Sequence, residues 1–399
     1  MPACSSSAAP AKVTLPTREL STTVVHTPQA LERHVVAWHD LVANAAEPNP
    51  FYEPHALLPA WRELAATEVR VVLVWAPSSL PGQPPVLVGL FPIVRTHCKG
   101  LPLPALATWK HLYSYLATPL VRADLASEAI AALFAWLRRD TTAAVFEWQT
   151  LGADGPFYHA LIDALHHLGF EAFHERSHTR ALFRPAATAE AYLARALCGK
   201  KRKELRRQER RLAEAGRIVY DELAPGGDLE AWLDEFVALE QHGWKGQGGT
   251  ALRTDPAGLA MFRAMARGAF ARGRWMTLAL RLDGRAIAMK CNLRSGTGAV
   301  AYKIAYDETY ARYSPGVLLE LEHIRRLHEP GAPTWMDSGA APDHPMIDHL
   351  WRDRRAIETI VVPTGRPLGA LAVAAMPLAR WTSHVLRDAA QHIRSRARH

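Results

Sequence analysis

Residues 275–316 read WMTLALRLDGRAIAMKCNLRSGTGAVAYKIAYDETYARYSPG, and this stretch decides the fold class. Trp275–Leu282 and Ala286–Arg294 are apolar, β-rich runs joined by Asp283-Gly284-Arg285. Asp-Gly between such runs is a strong hairpin signal, because both central residues of a tight hairpin need positive φ. Ser295-Gly296-Thr297-Gly298 makes a second turn, and Ala299–Asp307 is a third strand. The meander then runs into Ser314-Pro315-Gly316 and a helical pattern over Val317–His328. A serine N-cap followed by proline at the first helical position is a good helix start. Glycine beside it lets a ligand approach the backbone, and the helix N-terminus favours an anion there. In isolation such a tripeptide is more often just a helix start. Its place after a three-strand meander points to a phosphate site.

Outward from this stretch, helix and strand signals alternate. A helical pattern covers 28–45 (Leu31, Val35, Trp38, Leu41, Val42), and strands cover Val69–Trp75 and Val86–Val94. After a Pro-rich stretch at Leu101–Pro104 come a helix at 127–138, a strand at 143–151, a helix at 156–168 and strands across 170–184. Residues 188–215 are helical in propensity and intensely basic. Leu229–Glu240 reads as a helix and Thr334-Trp335-Met336 as a strand ending at Asp337. Leu378–Arg396 reads as an amphipathic helix with Trp381, Val385, Leu386 and Ile393 on one side. Helices interleaved with sheet predict an α+β fold with a mixed α/β sheet. The segments expected are a disordered tail at 1–20, a first domain at 21–186 and a basic linker helix at 187–216. A second domain at 217–365 and a helical tail at 366–399 follow.

The bulk numbers agree with a globular protein of two domains: 399 residues, 49% hydrophobic. A net charge of +8 favours anionic partners. Cys4, Cys98, Cys198 and Cys291 are scattered, which disfavours a disulfide framework or structural zinc and suits a reducing, cytoplasmic setting. Met1–Pro16 lacks the apolar core of a signal peptide. Leu368–Ala379 is an apolar run of about 12 residues, short of the ~20 a membrane helix needs, so the chain is not expected to span one.

Several stretches carry a family resemblance in order. They are Glu240-Gln241-His242-Gly243-Trp244-Lys245-Gly246, Gly249-Thr250-Ala251-Leu252 and Leu282-Asp283-Gly284-Arg285-Ala286-Ile287-Ala288. Tyr302-Lys303-Ile304-Ala305-Tyr306-Asp307-Glu308 and Tyr310-Ala311-Arg312-Tyr313-Ser314-Pro315-Gly316 follow. Asp337-Ser338-Gly339-Ala340, His344-Pro345-Met346-Ile347 and Leu350-Trp351 complete the set. With them, residues 190–362 resemble the CelD-like (cellulose-biosynthesis acetyltransferase) branch of the GNAT acyltransferases, related to the Fem aminoacyl ligases. Arg312 stands four residues before Gly316, where the commonest GNAT signature (Q/R-x-x-G-x-G/A) has three. The resemblance implies two tandem GNAT-like domains joined by the basic helix, the first of them degenerate. It implies acyl-CoA, acetyl-CoA in the simplest case, as donor and no metal. The donor pyrophosphate would sit at Arg312, Ser314, Pro315, Gly316 and Val317. The rest of the donor would lie along Lys303, Ile304 and Ala305, where the sheet splays and freed backbone N–H groups serve the oxyanion.

Acyl transfer needs a proton acceptor for the nucleophile, donors for the oxyanion and a proton for the leaving thiolate. Asp337 is the candidate base or acceptor-orienting carboxylate, with a turn or cap residue as the plainer reading. His344 is the alternative base, since its ordinary pKa lies near neutrality. Tyr313 is a candidate proton donor to the thiolate, or a packing tyrosine. Glu240, Trp244, Lys245, Tyr306 and Asp307 are candidates for holding the acceptor. Strand alternation puts Lys303 and Asp307 on one face, where an ion pair is the plain expectation.

Lys200 to Arg211 holds eight cations against Glu204 and Glu209, a net +6 over twelve residues. A solvated helix bridging two domains is the default for such a run. The functional reading is an anion-binding arm for the 3′-phosphate of coenzyme A, an acidic carrier protein or tRNA. No aromatic residue interleaves the cations, which argues against single-strand stacking, and DNA is not expected. His159, Asp163 and His167 share a helix face, but ligands two turns apart seldom converge on one metal. GxSxG, HExxH, P-loop and dinucleotide fingerprints are missing from the sequence. The expected activity is therefore acyl transfer from acyl-CoA to an amine or hydroxyl of a small molecule, lipid precursor or saccharide, by direct attack. The alternatives are a Fem-like transferase drawing on aminoacyl-tRNA and a non-catalytic GNAT-fold binding protein.

Overall fold

The computed structural model describes residues 19–65, 68–78, 80–98, 103–243, 249 and 251–396, without the side chains of 382–396. All but the last two residues of the expected tail at 1–20, and Trp244 and Lys245, lie outside the described residues. In the first half the strands are β1 (Ser21–Val25), β2 (Val69–Ala76), β3 (Val86–His97), β4 (Pro104–Thr108), β5 (Leu120–Val121), β6 (Val145–Gly152) and β7 (Phe173–Phe183). In the second they are β8 (Ile218–Asp221), β9 (Trp275–Leu282), β10 (Arg285–Ser295), β11 (Gly298–Tyr306), β12 (Trp335–Asp337) and β13 (Asp353–Pro363).

Among the described residues these strands form one sheet in the order β1-β2-β3-β4-β6-β13-β7-β12-β11-β10-β9-β8, with β5 beside β3. Read from either edge, four antiparallel strands lead to one parallel pair, β4/β6 on one side and β11/β12 on the other. The fold is α+β, built from two halves of the same plan. The helices Gly199–Ala213 and Ala189–Ala196 join them between β7 and β8. The halves exchange a strand at the centre. β7, from the first half, pairs with β12, and β13, from the second, pairs with β6. β7 and β13 run antiparallel along the middle, with Arg180 opposite Arg355.

Local chemistry explains the parts that the sequence made readable. Asp283 (φ 50) and Gly284 (φ 84) take the left-handed turn that the Asp-Gly pair predicts. The helical pattern at 28–45 is broken in two, Pro28–Glu32 and Val35–Ala43. The basic helix is interrupted from its predecessor at Leu197-Cys198. The carboxy-terminal helix starts earlier than its amphipathic pattern, at Pro367. No helix among the described residues is long and apolar enough to cross a membrane.

One apolar core spans both halves. Helix Pro256–Phe270 lies on helix Pro54–Leu64, closely enough that a Cβ on Gly268 would sit 2.7 Å from His55 Cβ. Glu53 joins the halves as well. Its Oε1 accepts from Arg274 Nη1 at 2.7 Å and from the Ser295 hydroxyl. Burial pushes the Glu53 carboxyl up to about 7 against the pull of Arg274 and Ser295. On the opposite sheet face, helix Pro315–Arg326 is pinned to β10 by a buried network. Lys290 Nζ donates to Glu320 Oε2 at 2.6 Å and lies 2.9 Å from His323 Nδ1, while Trp351 Nε1 donates to Glu320 Oε1 at 3.0 Å. Burial alone would raise the Glu320 carboxyl, but Lys290 and His323 outweigh it and lower it to about 2. The network holds the helix axis, and with it the N-terminal turn at Gly316.

Candidate active site

β11 and β12 pair in parallel over only three residues, Gly298–Val300 with Trp335–Asp337. β12 ends there, and β11 continues to Tyr306. Against β10, β11 carries one extra residue. Cys291 faces Lys303 and Asn292 faces Ala301, so Tyr302 is the bulged position. A bulge re-aims side chains and interrupts the ladder beside it. Its effect here is that Tyr302 and Lys303 both turn toward the core face shared by the two halves. Lys303 Nζ meets Glu240 Oε1 at 3.4 Å and lies 5.3 Å from the centre of the Tyr113 ring. The ion pair expected between Lys303 and Asp307 therefore does not form. The two stand four residues apart on a regular stretch of strand, roughly 13 Å at the usual rise and beyond ion-pair reach, and Asp307 is engaged elsewhere. Asp307 Oδ1 accepts from Thr309 N–H (3.0 Å) and the Thr309 hydroxyl (2.7 Å), and Oδ2 accepts from Arg285 (2.7 Å). It caps the turn Glu308–Tyr313.

The turn itself differs from a simple serine cap. Ser314 is left-handed (φ 53, ψ 52) and its hydroxyl makes no capping bond. A non-glycine residue in this region is strained by about 1–2 kcal/mol. Val317 N–H and Leu318 N–H both donate to Ser314 O, at 2.9 and 3.0 Å. Pro315 has no N–H. Of the first-turn amides, that leaves the Gly316 N–H for an anion, fewer than the sequence suggests. Around Gly316 stand Tyr306, Met346 and Ile304, whose nearest atoms lie 3.4, 3.8 and 3.9 Å from where a Cβ would be. Beside them opens a cavity of about 320 Å³, lined among others by Cys198, Lys201, Val317, Met346, His349 and Arg352. The structure thus brings Ile304, Tyr306, Gly316 and Val317 together, and adds Lys201 and Arg352 as cationic rims. Arg312 is exposed, with its guanidinium 4.7 Å from the centre of the Tyr313 ring. The Lys200–Arg211 helix packs against the Glu308–Tyr313 turn. Arg207 pairs with Glu204 at 2.7 Å and Arg210 lies 3.9 Å from Glu214, whereas Lys200, Lys201, Arg202, Lys203, Arg206 and Arg211 have no acidic partner among the described residues.

The candidate proton carriers are placed differently from one another. Asp337 is wholly buried. Its Oδ2 accepts from Arg180 Nη2 (2.7 Å) and Arg355 Nη1 (2.9 Å), and its Oδ1 accepts from Gly339 N–H (2.9 Å). Burial pushes its pKa up, but the two guanidiniums outweigh this and hold the carboxyl below its ordinary value. Such a carboxylate is a weak base, and the geometry gives it the task of tying β12 to β7 and β13. Arg355 also bonds Glu47, from the first half. His344 Nδ1 faces the N–H groups of Met346 and Ile347 at 3.3 and 3.4 Å, so it caps the short helix that carries Met346. Tyr313 is half-buried beside Ser314 at the end of the turn. Glu240 is buried, with Leu252 N–H donating to its Oε2 at 2.9 Å.

Sequence reading missed the contribution of residues 109–118 from the first half. Tyr113 Oη donates to Asp255 at 2.6 Å, and Tyr115 Oη donates to the carbonyl of the bulged Tyr302 at 3.2 Å. Arg180 Nη1 holds Tyr115 O at 2.7 Å. Three aromatics among Trp109–Tyr115 were the available hint. The corresponding position in the first half is unlike the second. β3 and β4 pair without a bulge, and Thr108 Oγ1 accepts from Gln149 N–H at 2.9 Å where β4 and β6 would part. The recess there is lined by Asp124, Glu128, Asp154 and Asp163, which repel phosphate.

Residues 199–344 match the family described as an acetyltransferase (GNAT) domain. The second half carries an acyltransferase domain. This GNAT domain begins at the basic helix and ends at His344, so it contains the meander, the bulge and the turn. No curated protein matches the chain. Solved structures of similar fold include two that match over most of the chain. The crystal structure of FemX superposes with a TM-score of 0.53 at 12% identity, over 88% of this chain and all of that one. A conserved protein of unknown function from Bacteroides thetaiotaomicron superposes at 0.50 and 12% identity, over 82% of this chain and 97% of that one. At such identities the likeness is one of fold.

Proposed function

We propose that the second half transfers an acyl group from acyl-CoA to an amine or hydroxyl, by direct attack and without an acyl-enzyme. Small molecules, lipid precursors and saccharides are the acceptor classes considered. The observation that carries this reading is the parting of β11 from β12 beside a bulge, with a helix N-terminus at Gly316 opening onto a cationic cavity. The pyrophosphate fits Gly316 N–H, Lys201 and Arg352, and the pantetheine runs along the parted strands. Its thioester then reaches the bulge, where backbone N–H groups stabilise the oxyanion. Because the pantetheine arm separates phosphate from sulfur, Tyr313 stays with the phosphates and does not reach the thiolate. Tyr113 and Tyr115 form the acceptor wall, together with Glu240 and Lys303. The first half, with its closed strands and acidic recess, supports this wall rather than a second donor.

Calorimetry with coenzyme A, acetyl-CoA and bulk tRNA tests the reading. Both thiol and thioester are expected to bind, with affinity that changes little with salt. A second reading has one observation in its favour: six cations without acidic partners among the described residues, on the helix beside the cavity. If the donor is aminoacyl-tRNA, binding of tRNA weakens by roughly 10³-fold or more between low and physiological salt, since each phosphate contact releases a counterion. Binding of neither ligand removes both enzyme readings of this site and leaves a binding protein. Cys198 offers an independent check, because its thiol is exposed and lines the cavity. Saturating coenzyme A is expected to slow its alkylation by iodoacetamide roughly tenfold, read by peptide mapping; buried Cys98 and Cys291 serve as internal controls. An unchanged rate at Cys198 places the donor elsewhere.

A further inference from the structure

The carboxy-terminal helix Pro367–Arg396 has two unlike faces. One is seated on the sheet. Ala372, Val373 and Met376 are buried against Cys98, Ala105, Val145 and Val361, and Gly369 lies so close to Ala144 O that a Cβ there has no room. The other face presents Leu368, Leu371, Leu378 and Trp381, each between 62% and 67% exposed. Four large apolar side chains on one outward stripe are unusual on a water-facing helix, where scattered single residues are normal. Charge on the same element is one-sided. From Pro367 to Arg396 the sequence has four arginines and a single acid, Asp388.

We propose that this face lies in the surface of an anionic phospholipid bilayer, with the helix parallel to the membrane plane. An outward apolar stripe ending in tryptophan, on a helix of net positive charge, matches the chemistry of that interface: acyl chains take the leucines, the glycerol region takes the indole and an anionic surface complements the charge of the helix. A second copy of the chain fits less well. A symmetric pairing of this helix would set its net positive charge against itself. The helix need not span the bilayer to act in this way, and the inference stands apart from the identity of the donor.

Co-sedimentation of the full chain with large vesicles tests the proposal. Phosphatidylcholine vesicles are compared with mixed phosphatidylcholine–phosphatidylglycerol vesicles. Binding is expected to the mixed vesicles, and to fall at least about 30-fold in the charge-neutral triple variant Leu371→Gln, Leu378→Gln, Trp381→Gln, because inserted apolar area sets the partition. All cations, including those of Lys200–Arg211, remain in this variant, so its loss of binding isolates insertion from charge attraction alone. The substituted side chains are solvent-facing, and an unchanged thermal melt verifies the fold. Equal sedimentation of variant and parent overturns the proposal. So does a dimer, seen by analytical ultracentrifugation, that the three substitutions dissolve while the parent ignores both vesicle types.

Discussion

Replacing Gly316 by valine is expected to weaken donor binding by at least about 100-fold, which corresponds to ~2.7 kcal/mol. The space at Gly316 is bounded by Tyr306 Cδ1 at 3.4 Å from the position of a Cβ, with Met346 Sδ and Ile304 Cδ1 just beyond. A single Cβ makes ordinary contact there, but two γ-methyls cannot be placed without meeting the tyrosine ring or shielding the amide. Since Val317 and Leu318 already spend their N–H groups on Ser314 O, the Gly316 amide has no understudy in that turn. Alanine is the matched control. It is expected to keep donor affinity within about threefold and to stabilise the helix slightly, as alanine does over glycine. Calorimetry on both variants reads the result. Wild-type affinity in the valine variant would reduce the turn to a helix start and move the phosphates to the Lys201–Arg352 side of the cavity.

Asp337→Asn is expected to damage the fold before it damages chemistry. The carboxylate sits between two guanidiniums at 2.7 and 2.9 Å with no exposed surface. Removing its charge leaves Arg180 and Arg355 buried and facing one another across the β7/β13 pair, where they are register partners. Breaking a buried ion pair from one side costs about 3–5 kcal/mol. Urea unfolding of the variant should show a loss of that order. Expected alongside it is a looser union of the halves, because Arg355 is also the link to Glu47. A variant that melts like the parent yet fails to turn over would return Asp337 to the part of general base.

Much of the second half was legible because its signals are local. Asp283-Gly284 demands a hairpin wherever it stands, and Ser314-Pro315-Gly316 demands a helix start. The strand β13 and the helix Pro54–Leu64 were not read. The helix has proline inside it at Pro59, which masks its periodicity, and β13 sets polar residues in adjacent pairs, Arg354-Arg355 and Glu358-Thr359, which breaks the period-two signal of a strand. The site divided in the same way. Ile304, Tyr306, Gly316 and Val317 gather because one meander and one turn carry them. Tyr113, Tyr115, Lys201 and Arg352 join them only across the fold.

By itself, the amino-acid sequence determined the meander, the turn that follows it, the cationic helix and so the class of chemistry, acyl transfer. Each rests on backbone preferences that act over a few residues, which tertiary context rarely reverses. Only the tertiary structure decided what Asp337, Lys303 and Asp307 do. Their partners Arg180, Arg355, Glu240 and Arg285 come from distant strands and helices, and one extra residue at Tyr302 overrides strand alternation. The charge state of a carboxylate depends on what surrounds it within a few ångströms. In this protein those neighbours are brought together by a strand exchange that no local pattern announces.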